Sequence, residues 1–145
     1  MSVTLSLMDK SDLNDVLEIS TLSLKESWSL DSFSKELTNP LAKYIVARNE
    51  EKIIGFAGIW IIVDEGHITN IAVHPDYRKN GVGSKLVNSL IENSKKWGCN
   101  ALTLEVRASN IAAQHLYKKY GFEEEGIRKN YYNDNNEDAI IMWKR

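Results

Sequence analysis

The feature that most constrains the fold is a β-strand that leads through a basic, glycine-bearing loop directly into an amphipathic helix. The strand covers residues 68–73, and the helix begins near Val82 and stops at Gly98. Between them, Arg78, Gly81 and Gly83 form the pattern R-x-x-G-x-G, with the glycines where the helix must begin. A strand, a tight loop and a helix in this order predict one βα unit of an α/β sheet.

The start of this helix has the chemistry of an anion-binding site. The first turn of a helix leaves backbone N–H groups without partners, and the helix dipole adds partial positive charge there. Glycine lets the main chain approach a phosphate closely, and Arg78 and Lys79 add full charges. The loop therefore predicts a pyrophosphate site, and its glycine spacing matches neither a P-loop nor a Rossmann fingerprint. A helix start with convenient glycines is the alternative, because the pattern is short.

The strand before the loop breaks its own alternation. Ile68 and Asn70 would share one face, yet the apolar residues shift to Ile71 and Val73. One extra residue near Thr69-Asn70 would explain the change of phase, and it predicts a β-bulge. Because a bulge leaves backbone N–H groups unpaired, it is a second candidate ligand-binding feature.

The rest of the chain predicts a mixed sheet with helices packed on it. Ser29 can cap a second helix, with Trp28 and Phe33 as a hydrophobic staple, and Asn39-Pro40 would end that helix. Between the last two strands, residues 133–136 predict a hairpin turn. The first helix, capped by Asp9 or Ser11, would bury Leu13, Val16, Leu17 and Leu24, and further strands are predicted at 3–7, 44–48, 53–63, 101–106, 122–132 and 139–143.

Composition limits the possible functions. The 145 residues fit one domain, which we predict over residues 1–145. A net charge of −2 lacks the basic excess of a nucleic-acid-binding protein. Cys99 is the only cysteine and shows no ligand spacing with the histidines, so we expect neither a disulfide framework nor a metal site. No apolar run approaches the roughly 20 residues of a membrane span, and no signal peptide is apparent, so we predict a cytoplasmic protein without a membrane partner.

The element order β-α-α-β-β-β-α-β-α-β-β and the R-x-x-G-x-G loop resemble the GNAT N-acetyltransferase superfamily over nearly the full chain. The stretch "LTLEVRASNIAAQHLYKKYGF", followed by "IRKNYY" and "EDAIIM", is similar to the RimI-type enzymes, which acetylate the N-terminal alanine of a small-subunit ribosomal protein. The resemblance implies an α/β (α+β) fold with a mostly antiparallel seven-stranded sheet, four helices, and a bulge and splay at the central strands.

That resemblance also implies acetyl-CoA as cosubstrate, no metal, and a protein N-terminus as acceptor, with alanine first and a ribosomal protein as the substrate. Two alternatives stay open. The same fold can acetylate a small amine or a lysine side chain, and a non-catalytic acyl-CoA-binding sensor is a third possibility.

Amide formation from an amine and a thioester requires that the amine lose its proton, that the oxyanion be stabilised and that the thiolate leave, preferably protonated. Glu105 lies among apolar neighbours on the predicted fifth strand, where we expect burial to raise its pKa. A charge paired with Arg107, or left at a strand end, is the alternative. Tyr117 lies on the next helix, where its phenol could reach the sulfur, or could simply be a core tyrosine. The resemblance assigns the general base to Glu105, directly or through a water, and the general acid to Tyr117.

The resemblance further implies three groups of contacts. The backbone of the bulged strand would bind the pantetheine arm and polarise the thioester carbonyl, and the loop would hold the pyrophosphate. The acceptor would lie near Trp28, Tyr131 and Tyr132, although these are equally explained as a staple residue and strand formers. The predicted cofactor contacts are Ile71, Ala72, Val73, Arg78, Lys79, Asn80, Gly81, Val82, Gly83, Ser84, Asn110 and Tyr117, of which Asn110 needs no role beyond capping a helix.

Overall fold

A computed structural model describes residues 2–23 and 28–145, so Leu24 of the predicted apolar stripe lies outside the described residues. These residues form four α-helices: α1 (Leu13–Ser23), α2 (Leu30–Glu36), α3 (Val82–Lys96) and α4 (Ile111–Lys119). They also form seven strands: β1 (Val3–Leu7), β2 (Ala42–Asn49), β3 (Lys52–Ile62), β4 (Glu65–Val73), β5 (Ala101–Arg107), β6 (Glu123–Arg128) and β7 (Ala139–Lys144).

The seven strands form one sheet in the order β1-β2-β3-β4-β5-β7-β6. Every neighbouring pair is antiparallel except β4 and β5, which the α3 crossover makes parallel. That parallel pairing covers only residues 65–67 of β4 against 101–103 of β5. The two central strands therefore part along the rest of their length, and the predicted mixed sheet with a central splay is confirmed.

The predicted bulge in β4 is confirmed. Gly58 of β3 pairs with Asn70, but the next residue, Ile59, pairs with Ile68. Thr69 is therefore the extra residue on β4, and it causes the shift in apolar phase seen in the sequence.

Both faces of the sheet are covered, which explains why β3 is apolar along nearly its whole length. Ala57 and Ile59 face a core that includes α3 and α4, whereas Phe56 faces a second core with α1 and α2. None of the helices within the described ranges is long and apolar enough to cross a membrane.

The start of α2 agrees with the sequence, whereas its end does not. The Ser29 side chain accepts a hydrogen bond from the Ser32 N–H at 3.1 Å, and the Trp28 and Phe33 rings are 5.5 Å apart, as a staple requires. The α-helix ends at Glu36, before the predicted Asn39-Pro40. From Leu37 to Asn39 the backbone N–H groups bond to carbonyls three residues back, so the helix tightens into turns before the proline.

The last hairpin differs from the prediction. β6 ends at Arg128 rather than at residue 132, and a connection over residues 129–138 replaces the short turn at 133–136. Asn130 has a left-handed φ of 54°, which stops the strand, and its N–H bonds to the Asp138 side chain at 2.9 Å. The predicted turn persists inside this connection, because the Asn136 N–H donates to the Tyr132 carbonyl at 2.8 Å.

Candidate active site

A cavity of about 600 Å³ opens where β4 and β5 part. The candidate base and the candidate acid both line it, and so do Ile71 from β4 and Asn110 from the start of α4. The structure also brings the three predicted acceptor residues to this cavity: Trp28, Tyr131 and Tyr132. Residues from distant parts of the chain thus meet around one space.

Glu105 is held by two neighbours that the sequence did not indicate. Its Oε2 lies 2.6 Å from His67 Nε2, and its Oε1 lies 3.3 Å from Arg128 Nε. The hydrogen bond with His67 is the largest cause of a lowered Glu105 pKa, and the charges of His67 and Arg128 lower it further, against an opposing contribution from burial. The expectation of a raised pKa was therefore wrong.

The alternative pairing of Glu105 with Arg107 was also wrong. Glu105 and Arg107 are two residues apart on β5, so their side chains share a face of the sheet, but no ion pair joins them among the described residues. Arg107 instead pairs with Asp134 at 3.1 Å and Glu137 at 3.3 Å. His67 was overlooked because only the parallel register, with His67 opposite Thr103, brings it beside Glu105.

Tyr117 lies on α4, buried against Phe122 with ring centroids 5.8 Å apart, and it also lines the cavity. Burial raises the pKa of its phenol well above the usual range. The hydroxyl therefore keeps its proton at neutral pH, as a proton donor must. Tyr117 is therefore both a core residue and a residue of the cavity wall.

The loop before α3 fits a pyrophosphate. Gly81 caps the helix with a left-handed φ of 78°, and within the described part of the chain no side chain caps this helix start. Its first N–H groups therefore stay available to an anion, next to the exposed Arg78 and Lys79. A Cβ on Gly83 would lie 3.4 Å from Leu116 of α4, an ordinary van der Waals contact, so the packing of the two helices does not itself require glycine here.

The bulged end of β4 offers main-chain groups to a ligand. The His74 N–H donates to the Ile54 carbonyl of β3 at 2.7 Å, and Ala72 pairs with Phe56 in the same ladder. Because such groups alternate along a strand, the N–H groups of Ile71 and Val73 point toward the gap left by β5. These two are better placed than Ala72 to contact a pantetheine arm.

The connection between β6 and β7 is fastened beside the cavity by Arg107. Its guanidinium lies 3.9 Å from the centroid of the Tyr132 ring, in addition to its two carboxylate partners. The Glu137 carboxylate also accepts a hydrogen bond from the Ser109 N–H at 2.6 Å, and these bonds to Ser109 are the main cause of a Glu137 pKa lowered to about 2. Burial raises the pKa of Tyr132 to about 12. Tyr132 is thereby positioned by a charged partner rather than by a strand, and the Tyr131 ring packs against it with centroids 5.1 Å apart.

Trp28 serves two roles, because it is both the staple of α2 and part of the cavity wall. Its ring lies 6.3 Å from that of Trp60, which also lines the cavity and which sequence reasoning missed. Asn110 caps α4 by accepting a hydrogen bond from the Ala113 N–H at 3.1 Å. No group of three or more metal-ligating side chains occurs among the residues that the structure describes.

Comparison with known proteins agrees with this arrangement. Residues 13–122 match the model of the acetyltransferase (GNAT) family. The chain is 48% identical over 133 residues to the putative ribosomal protein bS18-alanine N-acetyltransferase of Bacillus subtilis, covering 91% of this chain and 88% of that one. It is 39% identical over 141 residues to the bS18-alanine N-acetyltransferase of Escherichia coli K12, covering 96% and 95%. The crystal structure of the E. coli ribosomal-protein-S18-alanine N-acetyltransferase superimposes with a TM-score of 0.91 at 37% identity, over 99% of this chain and 93% of that one.

The chain therefore belongs to the GNAT family, and it is an acetyl-CoA-dependent N-acetyltransferase. Its similarity to the RimI-type ribosomal-protein alanine N-acetyltransferases is confirmed by these relatives.

Proposed function

We propose that the protein acetylates the N-terminal α-amine of a protein, with alanine as first residue and a small-subunit ribosomal protein of the bS18 type as substrate. The observation that carries the proposal is the convergence of Glu105 and Tyr117 on one cavity at the splay of β4 and β5. Support for the choice of acceptor comes from the relatives. They match nearly the whole chain, and their names state bS18 as the substrate.

The cosubstrate, acetyl-CoA, supplies an acetyl group activated as a thioester. The N–H groups at the start of α3, with Arg78 and Lys79, hold the pyrophosphate, and Lys79 to Ser84 form that cradle. The main-chain N–H groups of Ile71 and Val73 orient the pantetheine arm and polarise the carbonyl. Tyr117 holds a proton on its Oη and donates it to the departing sulfur.

Glu105 attracts the incoming α-ammonium and accepts its proton, directly or through a water. Its lowered pKa makes it a weak base, and this weakness favours one kind of acceptor. An α-amino group with a pKa near about 7.7–8.0 is already about one-tenth neutral at pH 7, whereas a lysine near about 10.4 is neutral in fewer than about one in a thousand molecules. A weak base therefore suits an N-terminal amine better than a lysine side chain.

Mass spectrometry of a peptide with the Ala-starting N-terminus of bS18 tests the proposal. We expect one acetyl group on the α-nitrogen, and we expect the Glu105→Gln variant to lose about a hundredfold in kcat/KM, since a positioned base typically contributes at least that factor. A matched peptide with a blocked N-terminus and a free lysine, and a set of free small amines, serve as competitors. Turnover of the wild-type protein no faster than that of Glu105→Gln would contradict the proposal, and preference for lysine or a small amine would assign the other acceptor class.

A further inference from the structure

Glu36, the last residue of α2, is a buried carboxylate that the mechanism above does not use. Its side chain belongs to a residue that is only 6% exposed. The Oε1 atom accepts hydrogen bonds from the Tyr44 hydroxyl at 3.0 Å and from Trp60 Nε1 at 2.7 Å, and Oε2 accepts one from Asn39 Nδ2 at 3.0 Å. All three donors are neutral. Burying a carboxylate against neutral donors costs free energy that an apolar side chain would avoid. We therefore look for the role of Glu36 in the side chains that it positions.

One of the groups that Glu36 holds reaches the bulge in β4. The Tyr44 hydroxyl accepts a hydrogen bond from Asn70 Nδ2 at 3.3 Å and lies 3.4 Å from Thr69 Oγ1. Thr69 is the extra residue of the bulge, and both Thr69 and Asn70 line the cavity. The carboxylate is thus connected through one phenol to two polar side chains of the site.

The other group is the Trp60 indole, which lines the cavity directly and lies beside Trp28. Both Trp60 and Tyr44 donate to the same oxygen, Oε1. Glu36 therefore couples the aromatic and the polar parts of the wall that β3 and β4 contribute, across the opening from Glu105 on β5.

Tyr44 can make this connection because β3 leaves room for its ring. A Cβ on Gly58, its cross-strand partner, would lie 2.4 Å from the Tyr44 ring, so the ring rests on bare backbone. The Phe33 ring packs edge-on against it, with centroids 6.4 Å apart. Burial raises the pKa of Tyr44 well above the usual range, so the hydroxyl remains a donor to Glu36.

We propose that Glu36 is a positioning residue for the acceptor amine. It fixes Trp60, and through Tyr44 it fixes Thr69 and Asn70, so that the β3–β4 wall admits a small first residue of the peptide. The inference rests on the proposed function, because it takes this part of the cavity as the place of the peptide N-terminus. The carboxylate acts through these neighbours and does not touch the reacting atoms.

The chain offers a matched pair of variants at this position. In Glu36→Gln the amide oxygen can replace Oε1 and retain both the Tyr44 and the Trp60 hydrogen bonds, whereas Glu36→Leu removes them and keeps a similar volume. We expect Glu36→Leu to raise KM for an Ala-starting peptide about tenfold, the order that loss of two hydrogen bonds implies. Its kcat and its KM for acetyl-CoA should change less than about twofold, and its preference for Ala over Leu as first residue should fall. Glu36→Gln should restore all of these values to near wild type.

A binding measurement separates this inference from the proposed function. CoA-saturated protein is titrated with the same peptide while the indole N–H signal of Trp60, assigned through Trp60→Phe, is followed by NMR. We expect a dissociation constant about tenfold higher in Glu36→Leu than in wild type or Glu36→Gln, in line with the two lost hydrogen bonds, with CoA affinity by calorimetry unchanged.

Equal peptide affinity in Glu36→Leu and wild type would overturn the inference. A parallel loss of CoA affinity or of the folded state in Glu36→Leu, without recovery in Glu36→Gln, would also overturn it by showing a general structural role. If the wild-type protein binds the peptide without acetylating it, the proposed function fails, and the ratio of the two dissociation constants still decides the role of Glu36.

Discussion

Glu105 is charged throughout the neutral pH range, because His67 and Arg128 hold its pKa below its ordinary value. The carboxylate therefore does not titrate between pH 6 and pH 9, and the acceptor amine does. We expect kcat/KM for an Ala-starting peptide to rise tenfold per pH unit below about 7.7–8.0, the usual range of an α-amino group, and to level off above it. A profile that levels off near pH 6 instead would show that another group limits the reaction.

His67 orients Glu105 through the 2.6 Å contact between Nε2 and Oε2. Replacing it with phenylalanine removes the largest cause of the lowered Glu105 pKa, and leaves burial, which raises the pKa, opposed by Arg128. We expect His67→Phe to reduce kcat/KM by about tenfold, less than loss of the base itself. The pH below which protonation of Glu105 reduces kcat/KM should also move upward. His115→Phe, on the outer helix α4, is the control, and an unchanged rate in His67→Phe would remove His67 from the site.

Tyr117 can be tested without disturbing the packing, since Tyr117→Phe keeps the ring that contacts Phe122. We expect kcat to fall by about a hundredfold, the lower end of what a positioned acid contributes, with little change in the thermal unfolding temperature. Tyr120→Phe is the matched control, because it removes a hydroxyl group near the same end of α4, and Tyr120 does not line the cavity. Equal losses in both variants would argue against an acid role.

At this scale the sequence predicted which residues meet but not their electrostatics. Glu105 and Tyr117 became candidates because the stretch that forms β5 and α4 resembles that of a known family, and the structure brings both to one cavity. His67 and Arg128 reach Glu105 only through strand pairing, from β4 on one side and from β6 by way of β7. The direction of the Glu105 pKa shift depends on those two neighbours, so the apolar residues beside it in sequence were misleading.

At the scale of elements, local patterns predicted the seven strands and four α-helices of the described residues, but they missed where α2 and β6 end and placed the start of β4 at residue 68 rather than at Glu65. β4 was predicted well because its bulge leaves a visible break in alternation. β6 was extended too far because Tyr131 and Tyr132 favour strands, whereas contacts with Arg107 and Asp138 hold that segment outside the sheet. Such tertiary contacts override local propensity and leave no local signature.

The connection over residues 129–138 is expected to depend on Arg107 for its position. Arg107→Lys retains the charge but loses both the planar stacking on Tyr132 and the paired contacts with Asp134 and Glu137. We expect KM for the peptide to rise about fivefold or more, as loss of a charged hydrogen bond implies, and faster proteolysis within the connection, while acetyl-CoA binding stays unchanged. Arg145→Lys, which alters a pair with Glu125 outside the cavity, is the control. If proteolysis and KM are unchanged in Arg107→Lys, the position of the connection depends on hydrogen bonds within the connection rather than on Arg107.

At the scale of the whole molecule, the cosubstrate site that we propose spans the gap that divides the sheet. The cradle and Ile71 belong to the β4–α3 side, whereas Asn110 and Tyr117 belong to the β5–α4 side, and β4 and β5 are paired over only three residues each. A ligand that contacts both the β4–α3 side and the β5–α4 side would link the two strands where they are not paired with each other. We therefore expect acetyl-CoA at about 100 times its dissociation constant to stabilise the folded state by about 2.7 kcal/mol.

For a domain of this size that gain corresponds to a rise of roughly 5–10 °C in the unfolding temperature, which differential scanning fluorimetry can measure. The double variant Arg78→Ala/Lys79→Ala should lose most of the rise at the same ligand concentration, because its cradle binds the pyrophosphate more weakly. Glu105→Gln should keep the full rise, since in the proposed mechanism its side chain acts on the amine and does not bind the cosubstrate. A rise that survives in the cradle variant, or that disappears in Glu105→Gln, would place the cosubstrate elsewhere than across the gap between β4 and β5.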